Sequence, residues 1–191
     1  MQLTPEEVST LVTQAAAGDK DAFHQLYEHY VQRIANFVFS MVRSREDTED
    51  ITQDAFVQAY HKLGSLKDPA KFEFWLYRIA RNEIYQRFRR KKADELPLEN
   101  FDWQELTPVD RRPSPNPEGE YLRDELRDVV TLALNTLPPK LREVFILAIV
   151  HQKSYREIAD IVGRSLLSVK TDIYRARIFA KDSIQHYLNR E

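Results

Sequence analysis

Apolar residues recur along this chain at three- and four-residue intervals, and strand-like alternation is almost absent, so the pattern predicts an all-α fold. The first helix starts at Thr4-Pro5-Glu6-Glu7, with Thr4 as N-cap, Pro5 at the first helical position and Glu7 closing a capping box. Val8, Leu11, Val12 and Ala15 form its stripe, and Gly18 ends it. Asp19 caps a longer helix whose apolar line runs Phe23, Leu26, Tyr27, Tyr30, Ile34, Phe37, Val38 and Met41. A third helix is predicted from near Ser44 to Leu63, burying Ile51, Ala55, Ala59 and Leu63. A fourth covers FWLYRIARNEIYQRFRRKK, residues 74–92, with Leu76, Ile79, Ala80 and Ile84 on its core side. Four amphipathic helices in about 90 residues can close a small core.

The far side of the fourth helix has a different character. Lys71, Phe74, Trp75, Arg78, Arg81, Asn82, Tyr85, Arg89 and Lys92 fall within roughly 120° of one another opposite the core side. Cations near a helix C-terminus suit the macrodipole, which accounts for residues 89–92. It does not account for aromatic rings among the cations. Rings interleaved with cations form a platform on which unpaired bases stack while the cations follow the phosphates.

Residues 93–118, ADELPLENFDWQELTPVDRRPSPNPE, hold five of the nine prolines and no helical period, so they read as a linker. Four helices are expected beyond it: Leu122 to Leu137, Lys140 to Val150, Ser154 to Val162, and Ser165 to about Leu188. Ser154 and Glu157 form a second capping box. Gly163 stops one helix and Arg164-Ser165 starts the next, a helix-turn-helix signature. Ile158, Ala159 and Val162 are expected to pack against Val169, Ile173 and Ala176. That leaves Lys170, Thr171, Tyr174 and Arg175 outward, the side-chain types that meet base edges and phosphates in a major groove. The expected domains are therefore 1–92 and 119–191, joined by 93–118.

Charge sharpens this division. The net charge of −2 conceals 14 basic and 13 acidic residues in 1–92, 2 and 7 in 93–118, and 12 and 10 in 119–191. An acidic linker thus separates two mildly basic ends, and residues 78–92 alone hold seven cations against one acid. The opposite sign gathers on the third helix, where Glu49, Asp50, Gln53 and Asp54 lie close together and the last three share a face. Read alone, that cluster is a solvated face.

Other chemistries find little support. The five His are scattered without metal-ligand spacing, there is no Gly-rich phosphate loop, and Asp50 with Asp54 lacks an accompanying base. Neither catalytic residues nor a metal or cofactor is expected. With no Cys, no apolar run of membrane length, and an N-terminus MQLTPEEVST unlike a signal peptide, the chain is expected in the cytoplasm.

Six segments in order resemble bacterial sigma factors of the extracytoplasmic-function group: AAAGDKDAFHQLYEHY (15–30), EDTEDITQDAFVQAYHKL (46–63), FWLYRIARNEIYQRFRRKK (74–92), LNTLPPKLREVFIL (134–147), SYREIADIVG (154–163) and SVKTDIYRAR (168–177). The resemblance implies that Glu49, Asp50, Gln53 and Asp54 dock on the clamp helices of the RNA polymerase β′ subunit. It implies that Lys71, Phe74, Trp75, Arg78, Arg81, Asn82, Tyr85 and Arg89 capture the unwound minus-ten element of promoter DNA. Arg164, Ser165, Ser168, Lys170, Thr171, Tyr174, Arg175 and Arg177 would meet the minus-thirty-five duplex, with the β flap and an anti-sigma factor as further partners. Neither a small-molecule substrate nor direct membrane insertion is implied. Thr48 (expected at a polar position), Phe74, Leu166-Leu167 and Asp172 depart from the usual residues, and Asp172 is an acid expected to repel the phosphates. The competing reading is a free-standing helix-turn-helix regulator whose first domain dimerises or senses.

Overall fold

A computed structural model describes residues 3–94 and 137–188. All regular structure among the described residues is helical, as expected. The chain forms two compact units, one built on the N-terminal helices and one on the C-terminal helices.

The first unit contains α1 (Pro5–Ala16), α2 (Lys20–Val42), α3 (Arg45–Lys62) and α4 (Phe72–Asp94). Two short 3₁₀ turns, Leu63–Ser65 and Pro69–Lys71, join α3 to α4. Local chemistry sets the boundaries. The Thr4–Glu7 box closes as expected: the Thr4 amide donates to Glu7 Oε2 at 2.7 Å and the Glu7 amide to Thr4 Oγ1 at 3.3 Å. Gly18 takes φ +102°, which costs a glycine little, and Asp19 Oδ1 accepts from the Asp21 and Ala22 amides. The end of α2 is less conventional. Arg43 adopts a left-handed φ of 57° with no glycine, and Ser44 then caps α3 by accepting from the Asp47 amide.

The core is closed by Leu26, Ile34, Phe37, Val38, Ala55, Ala59, Leu76, Ala80 and Ile84, all inaccessible to solvent. Burying each Leu, Ile, Val or Phe contributes about 1.5–3 kcal/mol. Two residues outside the expected stripes join them. Phe72 and Tyr77 are buried, with their rings 5.5 Å from Tyr30 and 5.4 Å from Phe37. Phe23 and Tyr27 lie at the edge of the expected α2 line, where they meet Tyr60 and Phe56 of α3 edge-on.

The second unit contains α5 (Pro139–Ile149), α6 (Tyr155–Val162) and α7 (Leu166–Leu188). Each matches its expected span to within about one residue. The helix expected over 122–137 and most of the linker lie outside the described residues. Ser154 and Glu157 form the expected reciprocal box, at 2.6 and 3.3 Å. Gly163 turns at φ +67°, the Arg164 amide returns to the Ala159 carbonyl at 3.1 Å, and Ser165 Oγ accepts from the Ser168 amide to start α7. Helix, glycine turn and helix are in place. Val144, Leu147, Ile158, Val169, Ile173 and Ala176 are buried in the core.

Candidate nucleic-acid and partner interfaces

On α3, Glu49, Asp50, Gln53 and Asp54 are all exposed. Asp50, Gln53 and Asp54 border a groove of about 330 Å³ whose other wall carries Glu83, Gln86, Arg87 and Arg90 of α4. Glu49 stands apart from that groove and pairs with Arg45 at 3.1 Å. The groove is anchored from beneath by Asp47, which is only 3% exposed. Its Oδ1 accepts from both Nε and Nη2 of Arg87, while Asp50 Oδ2 stands 3.8 Å from the same guanidinium. The hydrogen bonds Arg87 donates to Asp47, then the charge of Asp47, hold Arg87 above the ordinary arginine value. Asp47 and Arg87 are 40 residues apart, and no local spacing rule brings such a pair together.

Thr48 requires a correction. It is buried rather than on a polar surface, and its hydroxyl donates to the Ser44 carbonyl at 2.6 Å. A hydroxyl with a backbone acceptor in reach can be buried in place of a methyl.

Along α4 and the turn before it, Lys71, Arg78, Asn82 and Arg89 are exposed. Phe74, Arg81 and Tyr85 are half-buried. The Arg81 guanidinium lies 4.7 Å from the centre of the Tyr85 ring, a cation–π contact that presents charge and ring together. Lys71, Phe74 and Arg78 lie beside the segment Ser65–Asp68.

Trp75 is the second correction. It was expected on the exposed platform, yet only 9% of it remains accessible, with its ring 6.0 Å from that of Phe72. The two are three residues apart and therefore adjacent on the helix. Trp75 packs against the fully buried Phe72, and its remaining surface lines the same cavity as Lys71, Phe74 and Arg78. The open platform is Phe74, Arg78, Arg81, Asn82, Tyr85 and Arg89.

On α7 the outward residues are where the pattern put them. Lys170, Thr171, Tyr174, Arg175 and Arg177 are exposed, as is Ser165; Ser168 is half-buried. Arg164 and Asp172 are the third correction. Asp172 does not face phosphates: it is 4% exposed and accepts from Arg164 Nη1, with Lys140 Nζ 3.7 Å away. Arg164 is turned inward to it, and its Nη2 also stands 3.8 Å from Glu143, which is fully buried. Arg142, another buried charge, donates to the Leu137 carbonyl at 3.2 Å. Buried charges persist when they find opposite partners, and here the carboxylates of Asp172 and Glu143 meet two cations, Arg164 and Lys140.

Among the described residues no group of His, Cys, Asp and Glu could hold a metal ion. No described helix is long and apolar enough to cross a membrane.

One helical unit thus carries a cation–ring helix and the other a helix-turn-helix. Residues 26–93 match the Sigma-70 region 2 family and residues 127–179 match Sigma-70, region 4. The chain is 33% identical to the ECF RNA polymerase sigma-E factor of Escherichia coli K12, over 99% of this chain and 98% of that one. It is 30% identical to the RNA polymerase sigma-H factor of Pseudomonas aeruginosa, over 97% and 98% of the two chains. A solved structure of the sigma factor RpoE with the anti-sigma factor NepR, from Bartonella quintana, superposes with a TM-score of 0.66 at 25% identity, covering 87% of this chain and 98% of that one. The chain belongs to the sigma-70 family, in its extracytoplasmic-function group, and is an RNA polymerase sigma factor.

Proposed function

We propose that this sigma factor acts through three separate surfaces and has no catalytic chemistry of its own. Glu49, Asp50, Gln53 and Asp54 dock residues 1–92 on the β′ clamp helices of core polymerase. The α4 platform then holds the unwound minus-ten strand: Lys71, Arg78, Arg81 and Arg89 follow phosphates, while Phe74, Asn82 and Tyr85 face splayed bases. Trp75 serves from behind, as the support on which that end of the platform rests. Residues 119–191 engage the β flap and the minus-thirty-five duplex, with Ser165, Ser168, Lys170, Thr171, Tyr174, Arg175 and Arg177 of the helix-turn-helix at the groove. Arg164 sets the turn. The acidic stretch 93–118 links the two domains.

The observation that carries this reading is the juxtaposition within one small unit of an acidic groove and a cation–ring face. The groove holds Asp50 and Asp54, and the face holds Arg81 over Tyr85 with Arg78 and Arg89 exposed. A free-standing repressor needs neither. The likeness to RpoE bound to NepR supports control by an anti-sigma factor. Transcription from a cognate promoter with purified core polymerase tests the proposal. Added chain should convert the core to specific initiation. Tight operator binding without polymerase, and no stimulated transcript, would support the repressor reading instead.

A further inference from the structure

The outermost line of α7 is not the basic row that a phosphate-binding helix requires. Opposite the buried Val169, Ile173 and Ala176, successive turns present Leu167, Thr171, Tyr174 and Ile178. Leu167 is 74% exposed, Tyr174 66% and Ile178 42%. A leucine this open, at the start of a helix with a complete core on its other side, is not needed for folding. The charges lie to either side of the line: Lys170, Arg177 and Lys181 along one flank, Arg175 along the other, all exposed. Asp172, the acid nearest the middle, is withdrawn into its pair with Arg164, so the face carries no exposed acid from Leu167 to Ile178, and Asp182 lies one turn beyond it.

This arrangement suits one occupant. A helix lying in a major groove turns its central line to base edges and its flanks to the two phosphate walls, and its N-terminal residues reach the bases first. The one apolar group on the major-groove floor is the thymine 5-methyl, and small apolar side chains and the threonine methyl are its natural contacts. Resting on the duplex contact proposed above, we infer that Leu167 and Thr171 read thymine methyl groups in the upstream promoter element. Lys170, Arg175 and Arg177 position the helix on the phosphates. The chain would thus select its upstream element partly by apolar contact rather than by arginine–guanine pairing alone.

The test uses holoenzyme assembled from core polymerase and the full chain. Duplex promoter fragments with a randomised upstream element are selected by binding, and the enriched element is remade with deoxyuridine in place of each thymidine, removing only the methyl groups. The enriched element should contain thymine, and affinity should fall about fourfold for each methyl group that was buried. Leu167→Ala and Thr171→Ser should each bind the two forms more nearly alike, with affinity for the deoxyuridine form little changed. Enrichment of an element without thymine would overturn the inference alone. So would equal binding of both forms by the native holoenzyme, or unchanged discrimination in both variants, which would assign the apolar line to a protein partner. A holoenzyme that enriches no element at all would overturn the initiation proposal and this inference with it.

Discussion

Arg87 on α4 donates through Nε at 2.8 Å and Nη2 at 2.5 Å to a single oxygen, Oδ1 of the buried Asp47 on α3. The bond ties the helix assigned to polymerase docking to the helix assigned to the DNA strand. Asp47 sits in the first turn of α3, where the helix dipole also favours a carboxylate. The angle between two packed helices is set by side-chain interdigitation with some latitude. A short, doubly donated ion pair narrows that latitude.

Removing the guanidinium leaves Asp47 buried with its main partner gone. Arg87→Ala should therefore cost about 1–3 kcal/mol in urea denaturation of the full chain. The double variant Asp47→Ala/Arg87→Ala should lose less than the sum of the single losses, because the stranded carboxylate is gone as well. Strict additivity would mean that the pair contributes no coupling.

Asp50 and Asp54 are exposed, and the Asp50–Arg87 contact is a partly exposed 3.8 Å pair, so reversing their charge should cost the fold no more than about 1 kcal/mol. Asp50→Lys/Asp54→Lys should nevertheless weaken association with core polymerase by about tenfold or more, since like charges would face each other across the proposed contact. Core affinity measured by fluorescence anisotropy decides this, and an unaltered value removes both residues from the docking surface.

Two aromatic substitutions on α4 should separate support from contact. Trp75→Ala empties a nearly buried site and should destabilise the chain by about 3–5 kcal/mol. Tyr85→Ala removes a half-buried ring from the surface. It should weaken binding of a single-stranded minus-ten oligonucleotide by holoenzyme by about 1–3 kcal/mol, with a smaller effect on duplex binding. If Tyr85→Ala reduced both binding modes equally, Tyr85 would not be a stacking ring.

Salt dependence should distinguish Arg164 from its neighbours. Lys170→Ala should lower the slope of log affinity against log salt by about 1 for the upstream duplex, the signature of one lost phosphate contact. Arg164→Ala should leave the slope unchanged and lower the melting temperature instead, because Asp172 and Glu143 lose their shared partner. A reduced slope in Arg164→Ala would return that residue to the DNA.

Burial, followed by the charge of Glu73, pushes the Tyr30 phenol up to about 12, and the same two causes push Tyr77 upward. A raised folded-state value means that the stabilisation is complete below the unfolded tyrosine value of about 10 and is lost as the pH rises towards the folded one. Stability should fall between about pH 10 and 12, following phenolate absorbance, with a smaller fall in Tyr30→Phe. A stability flat across that interval would show that neither phenol titrates with unfolding.

Much of the architecture is local and was legible. The Thr4–Glu7 and Ser154–Glu157 boxes, the glycine stops at Gly18 and Gly163, and the Ser44 cap each involve residues within a few positions of one another. Helical periodicity likewise sorted the exposed Lys170, Thr171, Tyr174 and Arg175 from the buried Val169 and Ile173, because a helix holds its own geometry wherever it packs. Arg43 is an exception, since a left-handed non-glycine leaves no mark in composition.

The sequence by itself determined which residues share a face, where most helices begin and end, and that positive groups and rings would alternate along α4. Tertiary structure alone decided three matters: that Trp75 turns inward onto Phe72, that Asp47 meets Arg87 forty positions away, and that Asp172 is neutralised by Arg164 instead of facing solvent. Periodicity gives the direction of a side chain around its own axis. Whether that direction ends in water, a ring or an opposite charge depends on the neighbouring segment, and only packing brings that segment into place.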